Sequence, residues 1–402
     1  MNKIAKIPVV RKELLFPFII ITSLFVLWGI ANDLTNPMVS AFKKVMPELS
    51  NVQASLIQFA FYFGYFFMAL PAALFIRKYS YKSGIILGLI LYAIGSFLFY
   101  PAAAFEEFTF FLISLWVITC GLAFLETTSN PLILSLGDKE TSTRRLNLAQ
   151  AFNPIGSLTG MIIAQVFVIG ALRSDDYTTE AYNALSRPEL AAVRENDLGI
   201  ISIPYIGLGI LVLLIMLIIL FTKMPNTAAE DKMSVSVSFN KLFENRNYLY
   251  GVITQAFYVG AQIMCWTYIF QYVDNLNESL VSNLIATNYN IAAMISFLIG
   301  RWIGTALMKN INPSKMLMLF GIGGVVCSAG AILLPGMVGL ISLVSISIFM
   351  SIMFPTIYGI ALEGMGDESK IGSAGLVMAI VGGALMPVCL LYTSDAADEG
   401  SS

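Results

Sequence analysis

Apolar stretches of about twenty residues, the length an α-helix needs to cross a hydrocarbon layer, recur along nearly the whole chain. "LFPFIIITSLFVLWGIAN" near the start and "LGIISIPYIGLGILVLLIMLIILF" near the middle are two of them. Such a chain cannot hide its apolar surface in a water-soluble core. Of its 402 residues, 57% are hydrophobic and 12% charged, against roughly 25% charged in soluble domains. The pattern predicts an all-α polytopic membrane protein.

The predicted spans are 16–42, 52–76, 84–104, 107–136, 146–171, 200–222, 247–273, 282–308, 314–334, 337–362 and 372 to about 392. The first is too long for a signal-peptide core and lacks a cleavage site after it, so it is expected to stay in the protein. With the N-terminus on one side, only Lys43, Lys44, Arg173, Arg187 and Arg194 of the 23 Lys and Arg residues fall on the other. The majority side, which counts Arg144, Arg145 and Arg301 among its charges, is then cytoplasmic. A multi-pass membrane protein with a cytoplasmic N-terminus is expected, its partners a lipid bilayer and a small solute.

The polar stretch "KMPNTAAEDKMSVSVSFNKLFENR" divides the chain into a six-helix half at 1–222, a linker at 223–246 and a second half from 247. "GYFFMALPAALFIRKYSYKSG" in the first half echoes "GRWIGTALMKNINPSKM" in the second, as expected of a duplication. Paired halves of this kind are the construction of secondary transporters, with the solute held near the midplane between them. The charged segment 172–199 is expected to be an exterior loop with a short helix.

Several chemistries are excluded by inventory. Without a histidine, Ser-His-Asp and Cys-His nucleophiles and histidine metal sites are impossible. There is no G-x-x-x-x-G-K-[ST] phosphate cradle. Cys120, Cys265, Cys327 and Cys389 form no C-x-x-C pair. A net charge of -2, with no concentrated basic block, argues against nucleic acid. No enzyme activity, metal or cofactor is expected.

Against this background two carboxylates stand out: Asp33 in "LWGIANDLTNPMVSAF" and Glu126 in "CGLAFLETTSNP". A charge at the centre of a spanning helix costs about 2.5 to 3.5 kcal/mol even on insertion scales, and such groups face a pathway or a partner. Amides cluster nearby. Asn36 follows Asp33 by three residues and Asn130 follows Glu126 by four, each on the same helix face. Asn147, Gln150 and Asn153 recur at intervals of three along span five. Gln255 and Gln262, with Asn288 and Asn290, supply amides in the second half, while Tyr62, Tyr258, Phe257, Trp266 and Tyr268 offer ring faces. Amides and acids present both donors and acceptors, matching the hydroxyls of a sugar.

"NDLTNP", "IQFAFYFGYFFMALPA", "SYKSGI", "CGLAFLETTSNP", "RLNLAQAFNPIG", "YVGAQIMCW", "GRWIGT" and "FPTIYG" run in this order from span one to span eleven. Together they resemble the fucose-proton symporter family of the major facilitator superfamily. The resemblance implies import of L-fucose or a related hexose by alternating access, with the proton as coupling ion. It assigns Glu126 to proton and sugar coupling, and Gln150 and Asn153 to sugar recognition. One departure is visible: in that family the span-one acid falls where this chain has Asn36, and an amide stands at the place of Asp33. Asp33 is therefore expected to take the proton role. The candidate site comprises Glu126 and Asp33 for the proton, and Asn36, Gln150, Asn153, Asn130, Gln262, Asn288 and Tyr258 for the sugar. Sodium coupling, efflux of a lipophilic compound and a non-transporting sugar sensor are the competing readings.

The last stretch, "CLLYTSDAADEGSS", is unlike the rest. Cys389 to Glu399 reads like a translated sequencing adapter joined to a natural helix at Val388. The second half is then expected to be native over 247–388 and to want a twelfth span, with 389–402 a non-native tail.

Overall fold

The computed structural model describes residues 7–35, 38–178, 181–182, 184–224, 235–280 and 285–387. Among them all regular structure is helical. The first half of the chain contributes α1 (Leu15–Thr35), α2 (Met38–Val45), α3 (Asn51–Lys78), α4 (Tyr81–Phe97), α5 (Phe99–Phe105) and α6 (Phe108–Ser135). There follow α7 (Ser142–Gln150), α8 (Asn153–Ile163) and α9 (Arg187–Phe221). Beyond them lie α10 (Val235–Glu244), α11 (Arg246–Leu280), α12 (Ala286–Leu307), α13 (Pro313–Leu333), α14 (Gly336–Met350), α15 (Met353–Ala361) and α16 (Ser369–Met378). Asn36 and the adapter-like tail lie outside the described residues.

Ten of the eleven expected spans are helical segments long and apolar enough to cross a bilayer. The exception is span seven, within α11: it is a helix of 35 residues, but its tyrosines, glutamines and asparagines lower its mean hydropathy. One boundary differs from expectation. Span six begins at Arg187, so much of the charged segment expected as a loop is the first turns of α9. A capping box explains that start: the Ser186 amide donates to Glu189 Oε2 at 3.1 Å, and Pro188 sits in the first turn. Large apolar side chains cover the exterior, Phe221, Ile332 and Leu333 being 88%, 82% and 76% exposed. In water such a surface would aggregate; in lipid it is solvated.

Contacts sort the described residues into two units. One draws on Ser23–Ser129 and Ile155–Asn226. Its helices approach closely through small residues. A Cβ on Gly121 would lie 2.6 Å from the Tyr92 amide nitrogen, and one on Gly160 would lie 2.6 Å from the Ile30 carbonyl oxygen. Glycine is what lets α6 meet α4 and α8 meet α1, the packing mode that dispersion favours where lipid is as apolar as the helices themselves. Phe99 stacks on Tyr205 at 3.7 Å between centroids, and Ser202 donates to the Phe99 carbonyl at 3.1 Å, fixing α5 against α9.

The other unit draws on Met1–Thr22, Asn130–Pro154 and Thr227–Ser402. Met308, Met316, Phe320 and Ile352 form one buried cluster in it, and Val273, Leu276 and Leu340 another. Arg145, fully buried, closes the C-terminal end of α6. It donates to the carbonyls of Ile133, Leu134, Val9 and Asp138 and to the Thr141 hydroxyl, at 2.6 to 3.3 Å. The last carbonyls of a helix have no partner within it and carry the negative end of its dipole, so a guanidinium suits them.

Two spans are interrupted in the same manner. Span five turns at Ala151–Phe152 between α7 and α8, and span ten turns at Ser351–Ile352 between α14 and α15. Pro154 and Pro355 stand just after the turns. Proline lacks the N–H that would bond the carbonyl four residues back. The carbonyls so released are those of Gln150 and Ser351.

Candidate functional site

Asp33, 6% exposed, lies near the end of α1 and accepts from Asn32 Nδ2 at 3.3 Å. Two residues on, the Thr35 hydroxyl donates to the Ala31 carbonyl at 2.8 Å and sits 3.3 Å from the Tyr205 hydroxyl, anchoring this end of the helix. Glu126, 3% exposed, lies in α6. On α3, Tyr62 and Tyr65 are three residues apart and share a face. Asp33 interacts electrostatically with the first hydroxyl and Glu126 with the second. Trp28 of α1 donates its indole N–H to the Tyr65 hydroxyl.

Pro131 follows Asn130 within α6, and Asn130 is fully buried. Gln150, the last residue of α7, is fully buried too, and its Nε2 donates to Asn130 Oδ1 at 2.8 Å. Its Oε1 is buried and has no hydrogen-bond partner among the described residues. Asn153, the first residue of α8, is half-buried on the far side of the turn. The three-residue stripe expected from Asn147 to Asn153 is therefore broken between Gln150 and Asn153. Asn147 serves packing: its Nδ2 donates to the Thr143 carbonyl at 3.0 Å and to the Thr356 hydroxyl at 3.1 Å.

In the second half, Tyr258 is buried and its hydroxyl donates to the Met350 carbonyl at 2.9 Å, next to the span-ten turn. Gln262 is half-buried on α11, and Asn288 is exposed near the start of α12. Asn290 Nδ2 donates to the Trp266 carbonyl at 3.3 Å, and Trp266 Nε1 to the Ser347 hydroxyl at 3.2 Å. Phe257 is 63% exposed, Tyr62 buried and Tyr268 half-buried. Gln255 is fully buried, and neither polar atom of its side chain has a partner among the described residues.

Three residues that contact members of the candidate site or lie buried within spans escaped sequence reasoning. Trp28 and Tyr65 carry no charge to advertise them. Arg301 carries one, yet it was counted with the connecting loops. It sits within α12, 3% exposed, its guanidinium carbon 4.6 Å from the centre of the Phe297 ring. The rule that singled out Glu126 and Asp33, an ionisable group inside a span, applies equally to "FLIGRWIG".

Helices that break beside buried amides, in a chain that carries acids inside other spans, are the construction of a secondary transporter. The chain belongs to the major facilitator superfamily, whose family pattern matches residues 14–390. It is 52% identical to the L-fucose-proton symporter of Haemophilus influenzae, over 94% of this chain and 89% of that one. It is 36% identical to the L-fucose-proton symporter of Escherichia coli, over 96% of this chain and 88% of that one. The crystal structure of the transporter FucP in the outward conformation superposes with a TM-score of 0.87 at 35% identity, covering 96% of this chain and 94% of that one. These relatives are transporters, not enzymes, and this chain is a multi-pass membrane transporter.

Proposed function

We propose that this protein imports L-fucose or a closely related hexose together with protons, by alternating access. The observation that carries the reading is 52% identity to an L-fucose-proton symporter along nearly the whole chain. Two acids buried in spanning helices support it, since each is a place where a proton changes the local charge. Protonation of Glu126 or Asp33 removes a charge whose desolvation opposes closure of the cavity around the sugar. Sugar hydroxyls find acceptors and donors at Gln150, Asn130, Asn153, Asn36, Gln262 and Asn288, and a ring face at Tyr258. The six-helix half at 1–222 and the half from 247 rock about the bound sugar, joined by the linker at 223–246. The membrane is the bacterial cytoplasmic membrane, with the N-terminus on the cytoplasmic side.

The test is uptake of labelled L-fucose into proteoliposomes under an inward proton gradient without sodium. Accumulation that collapses with a protonophore is expected. Uptake that needs sodium would replace the proton as coupling ion, and binding without flux would make the protein a sensor. Competition by galactose, glucose and mannose ranks the substrate.

A further inference from the structure

Arg301 is buried inside a spanning helix with no acidic partner among the described residues. Its guanidinium instead meets two backbone carbonyls. Nη1 donates to the carbonyl of Gln150 at 3.0 Å, and Nε donates to the carbonyl of Ser351. These are the two acceptors that Pro154 and Pro355 leave without a helical donor. Each lies at the C-terminal end of a helix, α7 or α14, where the backbone dipole is negative. One cation therefore answers both interruptions, and the helix ends offset its charge. A lone arginine, two prolines and two orphaned carbonyls agree in number and place.

The consequence falls on Gln150. Its backbone is held by Arg301 and its side-chain Nε2 by Asn130, leaving Oε1 as the buried acceptor with no partner among the described residues. We infer that Arg301 is a positioning residue for sugar recognition: by holding the carbonyl at the end of α7 it fixes the direction in which Gln150 Oε1 meets a sugar hydroxyl. This inference rests on the proposed role of Gln150. Arg301 touches no sugar itself; it acts through its neighbour.

Equilibrium binding of L-fucose to the purified full chain, with thermal stability measured in parallel, tests it on Q150A, R301Q, R301K and the double variants with Q150A. Loss of a hydrogen bond from a charged donor corresponds to about tenfold or more in affinity. R301Q is expected to weaken fucose binding by about that factor, with R301K intermediate because an ammonium lacks the planar fork. In the Q150A background, R301Q is expected to weaken binding further by less than about twofold, because residues acting through one another do not add. Affinity unchanged in R301Q, with only stability reduced, would overturn the inference, as would effects that multiply in the double variant. If R301Q does not fold, R301K with and without Q150A gives the same comparison. Should Q150A itself leave affinity intact, the assignment of Gln150 to the sugar fails first, and this inference with it.

Discussion

Gln150 Nε2 donates to Asn130 Oδ1 at 2.8 Å, so the last residue of α7 is tied to a residue of α6 that stands one helical turn beyond Glu126. Gln150, proposed for sugar recognition, and Glu126, proposed for proton coupling, are thereby joined through α6.

That link predicts a measurable coupling. Gln150→Leu is expected to weaken fucose binding at least about tenfold, and Asn130→Ala to weaken it less, because Asn130 acts in part by orienting Gln150. A double-mutant cycle on binding should give an interaction energy of about 1 kcal/mol. Independent effects would show that the bond between them is incidental.

Each of the two acids should be needed for accumulation in transport assays. Glu126→Gln is expected to abolish accumulation against a gradient while preserving exchange of internal for external fucose, which needs no net proton movement. Asp33→Asn is expected to lose accumulation as well. Full proton-driven uptake by the Asp33 variant would leave Glu126 as the sole coupling group.

Arg145 predicts a defect of stability rather than of coupling. Its fully buried guanidinium makes five hydrogen bonds around the end of α6. Arg145→Met leaves several buried carbonyls without donors, and a loss of at least about 3 kcal/mol is expected. Thermal melting of the purified protein should fall clearly, with the fucose dissociation constant of the surviving folded fraction changed less than by Gln150→Leu.

Close helix approach gives a paired test. Gly160→Val puts a side chain where a Cβ already meets the Ile30 carbonyl oxygen at 2.6 Å, whereas Gly207 has nothing within 4 Å of its notional Cβ. The first change is expected to reduce the yield of monodisperse protein severely. Gly207→Ala is expected to be neutral, or stabilising by up to about 1 kcal/mol through helix propensity. Equal tolerance at both positions would mean that α8 does not depend on its contact with α1.

Hydropathy made most of the fold legible, because bilayer length and apolar content leave a helix few alternatives. It was least informative in α11, where amides and tyrosines dilute the apolar signal of a helix that is nonetheless long. Inside the site the acids were legible, since a charge in a span has few reasons to be there. The stripe from Asn147 to Asn153 was drawn too long, because an i, i+3 spacing assumes an uninterrupted helix and span five turns at Ala151–Phe152, between Gln150 and Asn153. The sequence held the signal for that turn in Pro154, and for its counterpart in Pro355. Reading each proline together with the carbonyl four residues earlier would have raised the question that Arg301 answers. Tyr65 and Trp28 were not legible, because only the fold brings Trp28 of α1 to the Tyr65 hydroxyl of α3.

In an unbroken helix, flexing means pulling apart a ladder of backbone bonds. At Gln150 and Ser351 the rung is a side chain on a neighbouring helix, Arg301 of α12. Spans five and ten thus share one tether at their interruptions, so that a single substitution there reaches both helices at once.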